Sequence, residues 1–319
     1  MGRHGGKAVR RWGAAVIAST AALSVAVPTA SAQATAQPTV RTTAAGPSGI
    51  QAKSAYLLDS GPNKKLWAKG ADTKRQMASI TKMMTAVVVL DTRGVNLDKK
   101  VTVRQAYLDY IERSGGSKAD LQKGDKLTVR QLLYGMLLPS GCDAAMALAD
   151  TFGTGSTTAK RTASFISKMN KKADALGMSR THYDSFDGIS DHNANYTTAR
   201  DLTKLARHAL GNATFRAVVK TTDTEQQAPA ANGRTRTYYW SSSNKLLGSY
   251  DGAIGVKTGT GSAAGKCIVF AAKRGGRTVI GVVLNDAKRY PDAKKMLDWA
   301  YHTRTKVTWR TLPAGTPQD

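Results

Sequence analysis

The run Ser79-Ile80-Thr81-Lys82-Met83-Met84-Thr85-Ala86-Val87-Val88-Val89-Leu90 decides the fold. Its apolar residues Ile80, Met83, Met84, Val87, Val88 and Leu90 fall on most faces of a helix, so that helix must be buried nearly all round. Such a helix belongs at the centre of a domain, and the rest of the chain has to pack around it. It also opens on a serine and a lysine three residues apart, which helical spacing sets on one face.

Before this helix, Ser54 to Asp59, the turn Gly61-Pro62-Asn63 and Lys65 to Lys69 spell a hairpin. After it, from about Val103 to Leu210, the pattern is mainly helical. Thr128 caps a helix through Leu138, stopped by Pro139. Phe165, Ile166, Met169, Ala173 and Leu176 mark one face of another, closed by Gly177. Thr198 to Asp201 resembles a capping box, with Asp in place of Glu, for a third helix ending at Gly211.

Beyond it the period changes to that of strands: Ala253 to Thr258, Lys266 to Lys273 and Thr278 to Asn285. Gly275-Gly276 joins the last two so tightly that they must be antiparallel. An amphipathic helix from Pro291 to His302 then covers the sheet. The predicted class is α/β of the α+β kind, an antiparallel sheet covered by helices. Residues 49–95 and 211–305 build that sheet domain, 96–210 form an inserted all-helical domain, and 306–319 a C-terminal tail.

The first 32 residues read as a signal peptide rather than as fold. Arg3, Lys7, Arg10 and Arg11 precede an apolar run from Gly13 to Val27, and Ala30-Ser31-Ala32 offers a small-x-small cleavage site. A core helix there would lack a polar face, and the run falls short of the roughly 20 residues that cross a bilayer. The mature chain is expected to begin near Gln33, with a disordered Ala-, Thr- and Pro-rich tether at 33–48. The expected location is extracellular or wall-associated, not integral to a membrane.

The chain carries 47 Lys+Arg against 22 Asp+Glu. Taking away the four basic residues of the leader leaves 43 against 22, a net +21 that favours anionic partners. For an exported protein these include wall polymers and lipid headgroups; no reader motif for nucleic acid is present. Cys142 and Cys267 are expected as two free thiols, although an oxidising compartment would permit a disulfide.

Three short motifs follow in order: Ser79-Ile80-Thr81-Lys82, Ser140-Gly141-Cys142 and Lys257-Thr258-Gly259-Thr260. The first is weak alone, since Ser242-Ser243-Asn244-Lys245 fits it too, but that run sits in a loop-like segment. A serine hydroxyl needs a base, and Lys82 can be one if burial and the second ammonium of Lys257 favour its neutral form. Ser140, between two helices, can relay a proton. Lys257 with the hydroxyls of Thr258 and Thr260 can hold a carboxylate, and Gly259 lets a substrate backbone approach the strand. Each motif alone has a plainer reading, as an N-cap serine, a snorkelling lysine or a solvated strand end. All three together argue for catalysis.

The chain resembles the D-alanyl-D-alanine carboxypeptidase family of low-molecular-mass penicillin-binding proteins, and within it the exported Streptomyces serine DD-transpeptidases. The likeness runs from about Ala55 to Tyr301 and includes Leu132-Leu133-Tyr134-Gly135-Met136-Leu137-Leu138-Pro139-Ser140-Gly141-Cys142-Asp143-Ala144-Ala145. It implies a β-lactamase/penicillin-binding-protein-like fold, an acyl-enzyme on Ser79, Lys82 as base and Ser140 assisting proton transfer. It further implies an oxyanion hole from the backbone N–H groups of Ser79 and Thr260, and Lys257 orienting the substrate carboxylate, with Arg289 as a further contact. The implied partners are peptidoglycan stem peptides and, as covalent inhibitors, β-lactams, acted on by a monomer without cofactor. Most of the family has Asn where this chain has Cys142, a weaker hydrogen-bonding group that also suggests sensitivity to thiol reagents.

Two other readings compete. A class A β-lactamase deacylates with a Glu followed four residues later by Asn, whereas Glu112 and Glu225, the only glutamates, are followed there by Gly116 and Pro229. A non-catalytic, cationic wall-binding protein on the same scaffold would explain the charge but not three intact motifs. A metal enzyme is unsupported, because the five histidines are scattered and none begins His-Glu-x-x-His.

Overall fold

The structure, a computed structural model, describes residues 46–190 and 194–317, together with Gly2 and Ala21. The expected signal peptide and most of the tether lie outside the described residues. The fold belongs to the unit Ala44–Asp319, which is distinct from Met1–Thr43. Among the described residues no helix is long and apolar enough to cross a membrane.

The chain begins with β1 (Ser54–Asp59), β2 (Lys64–Lys69) and β3 (Arg75–Gln76), then a 3-10 turn (Ala78–Thr81) that runs into α1 (Lys82–Leu90). There follow β4 (Lys100–Thr102), α2 (Gln105–Ser114), β5 (Lys126–Thr128), α3 (Val129–Leu137), α4 (Cys142–Phe152), α5 (Thr158–Ala175) and β6 (Tyr196–Thr197). Next come α6 (Ala199–Gly211), α7 (Ala213–Lys220), β7 (Asp223–Pro229) and β8 (Thr235–Ser241). The last elements are β9 (Ala253–Gly261), β10 (Gly265–Arg274), β11 (Arg277–Leu284) and α8 (Arg289–Tyr301).

Five strands form one sheet in the order β2-β1-β11-β10-β9, every neighbouring pair antiparallel. The first and last strands therefore pair in the sheet, Leu57 opposite Gly281, and β9 is left at an edge. The strand period of two sorts the core into two clusters. Leu57, Phe270 and Val283 pack with Met296 and Leu297 of α8, while Tyr56, Val269 and Val282 face the cluster of Ile80, Met84 and the remaining helices.

All nine residues of α1 are buried, as its sequence requires. The expected start at Ser79 differs in kind, because the first turn is 3-10 and the α-helix begins only at Lys82. Thr128 caps α3 with a full capping box closed by Gln131. At α6 only half of that device forms: Thr198 accepts from Asp201 N, with no reciprocal bond, since an aspartate is one methylene shorter than the usual glutamate.

Candidate active site

The 3-10 turn presents Ser79, and Lys82 follows as the first residue of α1. Residues three apart in a 3-10 turn eclipse one another, and Lys82 Nζ lies 2.9 Å from Ser79 Oγ. Ser79 is not a helix cap, for Met77 holds that position without a side-chain bond. Lys82 is fully buried, a placement that costs an ammonium several kcal/mol unless it is well bonded. Its Nζ reaches Ser140 Oγ at 3.5 Å, Cys142 Sγ at 3.2 Å and the Asp187 carbonyl at 3.2 Å. The apolar side chains of α1, each stabilising by roughly 1.5–3 kcal/mol when buried, hold the amine there.

Ser140 sits in the turn between α3 and α4. It is no cap either, because Gly141 occupies the N-cap of α4 with no side-chain bond. Its φ of 67° is left-handed, a conformation that costs a residue with a Cβ about 1–2 kcal/mol. That backbone sets Ser140 Oγ 3.0 Å from Lys257 Nζ on β9, so one hydroxyl bridges two amines. Ala78, just before Ser79, is also left-handed, with φ 47°.

The third motif lies along the edge strand. Lys257 Nζ donates as well to the Thr258 carbonyl at 2.9 Å. A Cβ on Gly259 would stand 2.8 Å from Met77 O and 3.0 Å from Ser79 N. The glycine is thus required for β9 to pass the nucleophile's turn, besides any role in admitting a substrate. Thr258 has a partner that the sequence did not point to. It is buried and its hydroxyl lies 2.7 Å from Ser243 Oγ, a contact within the protein. Thr260 is exposed, and Arg289, the first residue of α8, donates through one nitrogen to Thr260 Oγ1 at 2.9 Å, Gly259 O at 3.1 Å and Cys267 O at 3.3 Å. Arg289 therefore stands at the third motif.

Cys142 and Cys267 are both free and buried. Burial pushes the Cys142 thiol well above its ordinary pKa, the Lys82 ammonium opposing and the nearby Asp187 carboxylate adding to the effect. Burial likewise raises Cys267, to about 11. Among the described residues no three His, Cys, Asp or Glu side chains are placed to hold a metal ion.

Three residues that sequence reasoning passed over complete the site. The Asp187 carboxylate accepts from Tyr110 OH at 2.8 Å and Ile189 N at 3.0 Å, which fixes the carbonyl that Lys82 uses. Gly188, with φ 99°, lies so close to Ala78 that a Cβ would stand 2.0 Å from its carbonyl oxygen. Ser243 buttresses Thr258, and Tyr290 OH in turn donates to the Ser243 carbonyl at 2.8 Å. Loop residues such as Asp187 carry no periodic signal. Ser243 lies inside the run Ser242 to Lys245, which reads as loop.

A family profile described as D-alanyl-D-alanine carboxypeptidase, peptidase family S11, matches residues 40–288. The chain belongs to the D-alanyl-D-alanine carboxypeptidase family. It is 52% identical over 256 residues to the D-alanyl-D-alanine carboxypeptidase of Streptomyces sp. (strain K15), covering 79% of this chain and 88% of that protein. With the carboxypeptidase DacF of Bacillus subtilis it shares 31% identity over 257 residues, 79% of this chain but only 62% of the longer relative. The crystal structure of the Streptomyces K15 DD-transpeptidase superposes with a TM-score of 0.79, covering 81% of this chain and 99% of that one. Penicillin-binding protein D2 of Listeria monocytogenes, in an ampicillin-bound form, matches at TM-score 0.65 and 29% identity over 79% of this chain and 98% of the other. Mixed helices around an antiparallel sheet are the fold of these DD-peptidases, as expected from the motifs and the strand pattern.

Proposed function

We propose that this serine-type D-Ala-D-Ala carboxypeptidase/transpeptidase acts on peptidoglycan stem peptides through an ester on Ser79. Lys82 takes the Ser79 proton as the Oγ attacks the carbonyl carbon of the penultimate D-alanine. The developing oxyanion is held by the backbone N–H groups of Ser79 and Thr260. When the C–N bond breaks, Ser140 passes a proton to the departing amine of the terminal D-alanine. Lys257, Thr258, Thr260 and Arg289 receive the terminal carboxylate, with Ser243 holding the Thr258 hydroxyl in place. Water then releases the shortened peptide as an acid, or an amine of a neighbouring stem takes the acyl group as an amide.

One observation carries this reading: Ser79, Lys82, Ser140 and Lys257, from three separate motifs, form a continuous chain of contacts of 2.9 to 3.5 Å. A β-lactam offers the same carbonyl and carboxylate and becomes a lasting ester. β-Lactamase activity is disfavoured, since Glu112 on α2 and Glu225 on β7 are exposed and outside that chain of contacts. A wall-binding protein without catalysis would have no need to bury two lysines on one serine.

We read 49–95 with 211–305 as the lobe supplying Ser79 and Lys257, and 96–210 as the helical lobe supplying Ser140. The leader at 1–32 would export the enzyme to the wall, where its substrate lies. The test is incubation with a peptide ending in D-Ala-D-Ala, with and without an amine acceptor. Release of D-alanine in both, with a transfer product in the second, is expected. No release by wild type would refute the reading.

A further inference from the structure

The fold keeps its acids inside and its bases outside. Eight aspartates, Asp143 and Asp187 among them, are buried against three basic residues, Lys82, Lys257 and Arg289. The buried carboxylates serve as internal acceptors, as Asp143 does for the N–H groups of Ala119 and Leu121 at 2.8 and 3.0 Å. The surface is therefore more cationic than the totals of 47 basic and 22 acidic residues imply.

Part of that excess gathers in a cleft of about 1280 Å³, walled by the β1–β2 turn, the C-terminal half of α6, the start of α7 and the β10–β11 turn. Six basic side chains line it: Lys204, Arg207, His208, Arg216, Lys273 and Arg277. Three contact a carboxylate, Lys204 that of Asp201 at 3.0 Å, His208 that of Asp91 at 2.7 Å and Arg277 that of Asp59 at 2.5 Å. Arg207, Arg216 and Lys273 form no ion pair among the described residues. Arg207 Nε donates to Ser60 O at 3.2 Å, and Arg216 donates to the carbonyls of Leu210 and Gly211 at 2.7 and 2.8 Å. Carbonyl contacts fix a guanidinium without cancelling its charge.

We propose that this cleft binds an anionic polymer whose charges are phosphodiesters joined by polyol or sugar units. Guanidinium groups present paired donors that match phosphate oxygens. Three uncompensated cations spread along a cleft suit charges that repeat along a chain, and Leu210 and Ile254 offer apolar floor to the carbons between them. The lining holds no Phe, Tyr or Trp ring on which a nucleobase could stack, and its one imidazole, His208, is held by Asp91. A bilayer would need apolar anchors, yet the one exposed large hydrophobic residue among those described, Tyr239, lies on β8 and outside the cleft. The cleft reaches Ile254 at the start of β9, six residues and about 20 Å of strand from Thr260, so binding there leaves Ser79 free.

The experiment is fluorescence anisotropy of a labelled glycerol-phosphate oligomer with the full chain at physiological salt. Arg207→Gln/Arg216→Gln/Lys273→Gln should bind about tenfold more weakly or worse. Lys99→Gln/Lys100→Gln/Lys126→Gln, which removes the same charge at and beside the β4–β5 pair, should stay within about twofold, and both should be acylated by penicillin at the wild-type rate. Should the first variant lose acylation, the exposed Lys273→Glu exchange alone carries the test with the same expected direction. Equal weakening by both triple variants would overturn the proposal in favour of net charge alone. So would no binding by wild type, or tighter binding of phosphatidylglycerol vesicles or single-stranded DNA through the same three residues.

Discussion

Lys257 and Ser140 are 117 residues apart in the chain and 3.0 Å apart in space, ammonium to hydroxyl. This contact ties the edge strand to the turn between α3 and α4, and through Ser140 it sets two amines on one oxygen. Ser140→Ala should slow penicillin acylation by about 10²–10⁴, the usual worth of a positioned proton-transfer group. Stopped-flow acylation measures this, and a rate within about threefold of wild type would remove Ser140 from the mechanism.

Gly259→Ala tests how closely β9 passes the nucleophile. The added methyl would meet Met77 O at 2.8 Å and Ser79 N at 3.0 Å, both backbone atoms that cannot swing aside. The strand must shift away from the 3-10 turn, at about 1–3 kcal/mol of stability. Acylation should fall more than the thermal midpoint does, because the same shift disturbs the Ser79 N–H. Wild-type acylation in a folded Gly259→Ala protein would show that this approach is not needed.

Much of this geometry was legible and some was not, for physical reasons. The motifs and the period change after Gly211 located Ser79, Ser140 and Lys257 and predicted β9, β10 and β11 to within three residues. The β7–β8 hairpin went unread, because its strands are mostly polar, with Ala228, Tyr238 and Trp240 as their buried residues. The ladders β3–β6 and β4–β5 are two and three residues long, too short for any period. The 3-10 start of the central helix has the same apolar signature as an α-helix. The contact of Thr258 with Ser243 was not legible, because Ser243 is 15 residues away and lies in a loop.

Asp286 gives the stability a pH dependence. Burial raises its carboxyl to about 6, the Lys288 N–H opposing and the Asp292 carboxylate adding to the rise. A folded value above the ordinary 3.8 means that its contribution is full below that pH and is lost as pH rises through about 6. Asp286→Asn keeps an acceptor for Lys288 N without the charge. It should stabilise the protein at pH 7.5 by on the order of 1 kcal/mol and change little at pH 4. Equal shifts in midpoint at the two pH values would contradict the assignment.

Cys142 couples thiol chemistry to catalysis. With 1% exposure and a pKa raised by burial, the thiol should react with iodoacetamide far more slowly than an exposed cysteine does. Once alkylated, it should slow penicillin acylation, because its sulfur lies 3.2 Å from Lys82 Nζ. An unchanged rate in fully alkylated protein, confirmed by mass, would end that idea.

The most direct test is peptide mapping of the penicillin-treated protein. Trypsin should release Gln76 to Lys82, a peptide whose one serine is Ser79. The account predicts the penicilloyl mass on that peptide and no labelling of Ser79→Ala. An adduct on any other peptide, or equal labelling of Ser79→Ala, would contradict it.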